Sequence, residues 1–142
     1  MKQLAIKRFV FLICVFLTIA AVIGCMLYNH KQNNKLENLK YNQTELLSST
    51  ISKNGKFKMD FYLSDGGSLS ADGVKGVYTN MATGKEKVIF FAYPCNDVTY
   101  EWISDKKIDI RYIDRYEGSE NNIVLDVTKD TYDWRKSYKG VN

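Results

Sequence analysis

Histidine is almost missing from this chain of 142 residues: the sole one is His30. A Ser-His-Asp or Cys-His catalytic group beyond that point is excluded with standard parts. Cysteine is scarce as well. Cys14 and Cys25 lie in or beside an apolar N-terminal run, and Cys95 stands alone in the rest. No disulfide can form within the C-terminal domain, so it is not a disulfide-stapled scaffold. A zinc site built on His and Cys is excluded for the same reason. Cys95, in Tyr93-Pro94-Cys95-Asn96-Asp97, reads as a small buried side chain. There is one proline, Pro94. Glycine-rich phosphate loops are absent: Gly66-Gly67 and Gly73/Gly76 do not make G-x-G-x-x-G, and no helical pattern follows them. Calcium-loop spacing is absent too.

Charge is lacking altogether over residues 9–28, FVFLICVFLTIAAVIGCMLY. As a helix these twenty residues rise about 30 Å, enough to cross a bilayer core. Twelve are Phe, Val, Leu or Ile, which together favour membrane insertion by about 4–7 kcal/mol. A soluble core helix would keep a polar face. Lys2, Lys7 and Arg8 precede the run, whereas Lys31 and Lys35 are followed closely by Glu37. That bias places the N-terminus in the cytoplasm and the remainder outside it. Two anchor types fit. An uncleaved single span is favoured. The rival is a lipoprotein signal peptide, because Val22-Ile23-Gly24-Cys25 approaches a lipobox with lipidation at Cys25. Against it, Met26-Leu27-Tyr28 carries the apolar run past the cysteine.

The chain divides into an anchor, 1–28; a polar linker, partly helical, 29–50; and an extracytoplasmic β domain, 51–142. The formal charge of +4 belongs to the first two parts. Residues 1–50 hold six Lys/Arg against two acids, while residues 51–142 hold 14 of each. A neutral domain composition gives no support to the basic footprint of a nucleic-acid binder and leaves only local patches open. The basic flanks suit lipid headgroups.

From residue 51 the hydrophobic period becomes two. Phe57, Met59, Phe61 and Leu63 share one face, with Lys58 and Asp60 turned away. Asn54-Gly55 ahead of them signals a tight turn. Val74–Asn80 and Lys87–Ala92 read as a hairpin. Val98, Tyr100 and Trp102 share a face, as do Ile108, Ile110 and Tyr112. Ile123–Val127 follows a polar loop. The expected fold is mainly β, a small antiparallel meander or sandwich of about six strands. Without a helical period after residue 51, a parallel sheet with crossover helices is not expected.

Carboxylates crowd the C-terminal third. Asp109 and Asp126 fall on strand positions expected to face solvent, interleaved with Lys and Arg. They read as a charged face rather than an acid–base pair. The aromatic residues read mainly as core.

Several motifs taken together resemble a known family. They are Ser52-Lys53-Asn54-Gly55-Lys56-Phe57, the Gly66-Gly67 loop, Tyr93-Pro94-Cys95, Glu101-Trp102-Ile103 and Asp130-Thr131-Tyr132-Asp133-Trp134-Arg135. They are similar to an uncharacterised group of small bacterial membrane proteins, the family of unknown function 5412. The likeness covers about residues 45–136. Two features depart from it. Ser52-Lys53-Asn54-Gly55 stands where the family has a Ser-Pro-Asp-Gly turn, and Arg111-Tyr112-Ile113 continues into a longer loop. The resemblance implies a Gram-positive membrane or lipoprotein setting and carries no known activity. Trp102, Gly66, Gly67, Tyr132, Asp133, Trp134 and Arg135 are its motif residues, with structural roles expected.

The resulting expectation is a membrane-anchored, non-enzymatic binding or structural module of the cell envelope. Its partners would be the lipid bilayer and an envelope protein, with no nucleic acid, cofactor or metal. A small carboxylate-dependent enzyme acting on glycan and a ligand-sensing accessory lipoprotein are the alternatives.

Overall fold

The structure is a computed structural model describing residues 2–33, 36, 44–64 and 71–137. It falls into two units, Met1–Asn38 and Leu39–Asn142.

The first unit is built on α1, Lys2–Asn33. Within it, Phe11–Gln32 is a 22-residue stretch that contains an 18-residue window of mean hydropathy 2.6. It is long and apolar enough to serve as a membrane anchor or as a signal sequence. Phe11, Phe16, Leu17, Ile23 and Leu27 are all exposed, so the helix shows apolar side chains all round. Water disfavours such a surface and lipid accommodates it. The helix continues past residue 28, the expected end of the anchor.

The second unit is a mainly β domain of eight strands in two sheets. The larger sheet contains β1 (Thr44–Ile51), β2 (Phe57–Ser64), β3 (Gly73–Asn80), β4 (Glu86–Ala92) and β8 (Tyr132–Asp133), neighbours in that order. Its pairs are antiparallel except β4–β8, which is parallel. The smaller sheet is an antiparallel meander of β5 (Thr99–Trp102), β6 (Lys107–Ile113) and β7 (Glu120–Asp126). One turn of helix, α2 (Trp134–Ser137), follows β8.

The period of two explains the core. Phe57, Met59 and Phe61 are buried from β2, and Ile108, Ile110 and Tyr112 from β6. They join Phe90, Trp102, Leu125 and Val127 in one cluster. Phe61 bridges the two sheets by stacking on Tyr100 with ring centroids 5.0 Å apart. Gly55 adopts a φ of 71°, which the tight turn between β1 and β2 requires.

Gly76 lies opposite both Phe61 and Phe90. A Cβ there would stand 2.9 Å from Phe90 Cβ and 3.0 Å from Met59 Cε. The small residue lets the aromatic layer close over β3. Gly76→Ala is expected to cost about 1–2 kcal/mol through overpacking, read as a lower denaturation midpoint of the detergent-solubilised chain. An unchanged midpoint would show that the layer yields freely.

The domain is mainly β as expected, and it differs from the expectation in detail. The domain has eight strands where about six were expected, because β1 lies in the presumed linker and β8 in the tail. In β1 the register shifts between Leu46 and Ser48, and that bulge destroys the alternation by which a strand is read. β8 has two residues, too few to show any period. Asp60 and Asp109, expected to face solvent, are only 5% and 7% exposed. Each sits two residues along the same strand face from a long cation. Lys58 Nζ reaches Asp60 at 2.9 Å, and Arg111 Nη2 reaches Asp109 at 2.7 Å. The long side chain folds over the short one. Gly66 and Gly67 lie outside the described residues, as does most of the segment between α1 and β1.

Candidate functional site

The tail motif seals one edge of the larger sheet. Strand β8 lies beside β4, with Tyr132 opposite Phe90 and Asp133 opposite Phe91. Alternation then sends the two side chains to opposite faces. Tyr132 turns inward. Its ring stacks on Phe90 at 5.5 Å, and its hydroxyl meets the Tyr112 hydroxyl at 2.6 Å. That bond joins β8 to β6 across the two sheets. Burial, with Tyr132 beside it, pushes the Tyr112 hydroxyl far above the ordinary tyrosine pKa.

Asp133 turns to the other face and is almost fully buried. Arg135 closes back on it. Nε donates to Oδ1 at 2.8 Å and Nη2 to Oδ2 at 2.8 Å, while the Arg135 amide donates to Oδ1 at 3.2 Å. Burial alone would raise the Asp133 carboxyl. The hydrogen bonds and charge of Arg135 outweigh it and hold the carboxyl below its ordinary value. The guanidinium carbon also lies 5.5 Å from the centre of the Phe91 ring, within cation–π range. Trp134, half-buried, meets Tyr93 edge-on at 5.1 Å. Trp102 is buried in the core, and its Nε1 donates to Thr50 Oγ1 at 3.1 Å. All five of these aromatic and charged side chains are engaged with the domain's own residues.

The neighbouring end of the smaller sheet carries a cleft of about 380 Å³, lined by the 96–99 segment, Arg111–Ile113, Arg115 and Glu120. The loop 93–98 is fixed from both sides: the Cys95 amide donates to Asp72 O and the Arg115 amide to Pro94 O. Val98, Tyr112 and Ile113 supply apolar surface. Asp97, Glu120, Arg111 and Arg115 bring charges of both signs. Arg111 gives Nε and Nη2 to Asp109, whereas the Arg115 guanidinium forms no hydrogen bond or ion pair among the described residues. Asp97 Oδ1 accepts from the Val98 amide at 2.8 Å. Such a cleft can hold a ligand with an apolar body and polar groups of both signs.

Cys95 lies fully buried behind this cleft, and its thiol donates to Asp97 O at 3.0 Å. Burial pushes its pKa up to about 11, so it stays a protonated thiol at neutral pH. Among the described residues no three His, Cys, Asp or Glu side chains gather as a metal site. Cys25 is an exposed residue of α1. Sequence reasoning missed the cleft, because its lining comes from four stretches that only the pairing of β5, β6 and β7 assembles.

The model of a family of unknown function, DUF5412, matches residues 6–137. No curated protein and no solved structure matches the chain. The chain belongs to that family of unknown function.

Proposed function

We propose that this member of the family is a membrane-tethered, non-enzymatic binding module of the cell envelope. In this reading α1 stays in the bilayer with its N-terminus in the cytoplasm and holds the β domain outside. The observation that carries it is the helical stretch Phe11–Gln32, whose charge-free apolar run to Tyr28 is exposed on all sides. A lipid core is the solvent that such a surface matches.

The cleft beside β5 and β6 is the surface offered to an envelope protein. An exposed peptide segment has the matching chemistry: an apolar body for Val98, Tyr112 and Ile113, and charges of both signs for Arg115, Asp97 and Glu120. The module binds without bond chemistry. Its one buried thiol is held protonated, and the Asp97 carboxylate is spent on the loop that it caps.

Alkaline carbonate treatment of membranes and mass spectrometry of the extracted chain test the tether. The expected result is retention in the membrane with the N-terminal residues intact. A mature chain starting at a lipid-bearing Cys25 would replace the span with a lipid anchor. Release into the soluble fraction would overturn the tether. For the cleft, photo-crosslinking through a probe at Thr99 in intact membranes is expected to capture a recurrent protein. Arg115→Glu should abolish that capture. Capture unaffected by Arg115→Glu, or none at all, would count against the cleft.

A further inference from the structure

The formally neutral domain is sorted by its topology into a basic end and an acidic end. Four turns meet at one end. The β1–β2 and β3–β4 turns are joined there by the Met81 amide, which donates to Lys56 O. The β5–β6 turn is brought alongside by the bond from Trp102 Nε1 to Thr50 Oγ1. The turn after β7 joins it through the Val127 amide, which donates to Lys106 O. Residues 52–56, 81–85, 103–107 and 127–131 carry Lys53, Lys56, Lys85, Lys106, Lys107 and Lys129 against two acids, Asp105 and Asp130. All six lysines are exposed.

The opposite end reverses the sign. Described residues 71–72, 93–98 and 114–119 hold Asp72, Asp97, Asp114 and Glu117 against Arg115, and α2, which follows β8 to the same end, adds Lys136 and the Arg135 that is paired with Asp133. These loops are likewise tied together, by Cys95 to Asp72 and Arg115 to Pro94.

Three large apolar side chains stand among the lysines. Ile51 is 52% exposed, Met81 48% and Ile103 50%. One lies at each of three turns. Lysines ringed around exposed apolar tips are the combination that an anionic bilayer surface rewards, since the ammonium groups meet headgroup phosphates while the tips enter the interface. A soluble polyanion would use the lysines and leave the tips in water.

We propose that the turn end of the β domain docks on anionic lipid, with Met81 and Ile103 entering the interface and the surrounding lysines on the headgroups. This rests on the tether reading, because α1 keeps the domain beside a bilayer. The chain is long enough for it. Ten residues separate Asn33 from Thr44 and span up to about 35 Å when extended. The eight residues of β1 run about 26 Å from the acidic end to the basic end. The basic end can therefore return to the surface from which α1 emerges. Docking would leave the cleft, at the acidic end, facing away from the lipid.

The test uses the full chain in vesicles, labelled with a membrane-impermeant maleimide at Met81→Cys, Ile103→Cys or Ser119→Cys. Cys95 is buried, and Cys14 and Cys25 lie in the apolar helix, so the added thiol reports. In phosphatidylcholine vesicles with about a third of the lipid replaced by phosphatidylglycerol, labelling at Met81→Cys and Ile103→Cys should be about tenfold slower than in phosphatidylcholine alone. Ser119→Cys, at the acidic end, should label equally in both. The slowing should vanish in the triple variant Lys53→Gln, Lys85→Gln, Lys106→Gln, and in about 0.5 M salt, where screening shortens to a few ångström. Equal rates in the two lipids would overturn the docking. So would slowing by dextran sulfate on neutral vesicles without slowing by anionic lipid, since the end would then be a polyanion site. Failure of the tether reads separately, as release of the chain by alkaline carbonate. Failure of docking leaves the chain embedded and its turns equally reactive.

Discussion

Phe90→Ala is expected to remove about 3–5 kcal/mol of folding stability, the range for emptying a buried phenylalanine site. Phe90 is fully buried, and its ring makes three aromatic contacts that no other residue combines. It meets Phe61 edge-on at 6.2 Å, meets Tyr112 edge-on at 6.1 Å and stacks on Tyr132 at 5.5 Å. Those partners come from β2, β6 and β8, so one ring joins both sheets and the closing strand. The neighbourhood cannot collapse to fill the space, because Gly76 already lets the backbone of β3 approach as closely as it can. A domain of this size is stable by about 5–15 kcal/mol, so the variant should sit near its unfolding midpoint at moderate temperature. Urea denaturation of the detergent-solubilised chain, followed by the fluorescence of Trp102 and Trp134, measures the loss. Phe90→Leu should recover much of it by keeping volume. A loss below about 1 kcal/mol for Phe90→Ala would show that the two sheets hold together without this ring.

The residues that could be read in the sequence are those whose environment is set by their own strand. Phe57, Met59 and Phe61, then Ile108, Ile110 and Tyr112, alternate because one face of each strand meets the other sheet. The apolar helix is equally legible, since composition alone decides it. What stayed hidden depends on contacts between distant stretches. The carboxylates of Asp60 and Asp109 sit at outward positions, yet a long cation on the same strand covers each. The bulge in β1 broke the alternation that would have revealed that strand. The equal numbers of acidic and basic residues concealed the sorting of charge, because Lys53, Lys85, Lys106 and Lys129 are far apart in the chain. They come together only where four turns share one end. The tail motif was visible as residues, but its geometry was not: β8 runs parallel to β4, which places Tyr132 and Asp133 on opposite faces.

That geometry makes the cost of Arg135→Ala depend on pH, with a sign that can be worked out. In the native chain Asp133 has a carboxyl pKa below its ordinary value, held there against burial by Arg135. An unfolded aspartate titrates near 3.9. A depressed native value means that the pair's contribution is fully present above about pH 4 and fades as pH falls through the lower native pKa. Removing Arg135 leaves the carboxylate almost buried, its side chain 3% exposed, with the guanidinium donors gone and only the backbone amide of residue 135 still donating to it. Burial is then opposed only by that amide and the charge of Lys136, and should carry the carboxyl upward from its native value. At pH 7 Arg135→Ala should therefore cost about 3 kcal/mol, the lower end for breaking a buried pair, because the arginine itself is partly exposed. Near pH 3 the variant's Asp133 takes up a proton and the gap to the native chain should narrow. Asp133→Asn should show a smaller loss at pH 7 and little change in its gap to the native chain between pH 5 and 7, having no carboxylate to strand. Parallel denaturation of the three chains from pH 3 to pH 7 measures these gaps, and acids common to all three cancel. A gap for Arg135→Ala that stays constant or widens as pH falls would mean that Asp133 escapes to water once its partner is gone. The tail would then be held by Tyr132 on Phe90 and Tyr112 alone, and the buried ion pair would set the angle at which the chain leaves the sheet rather than its stability.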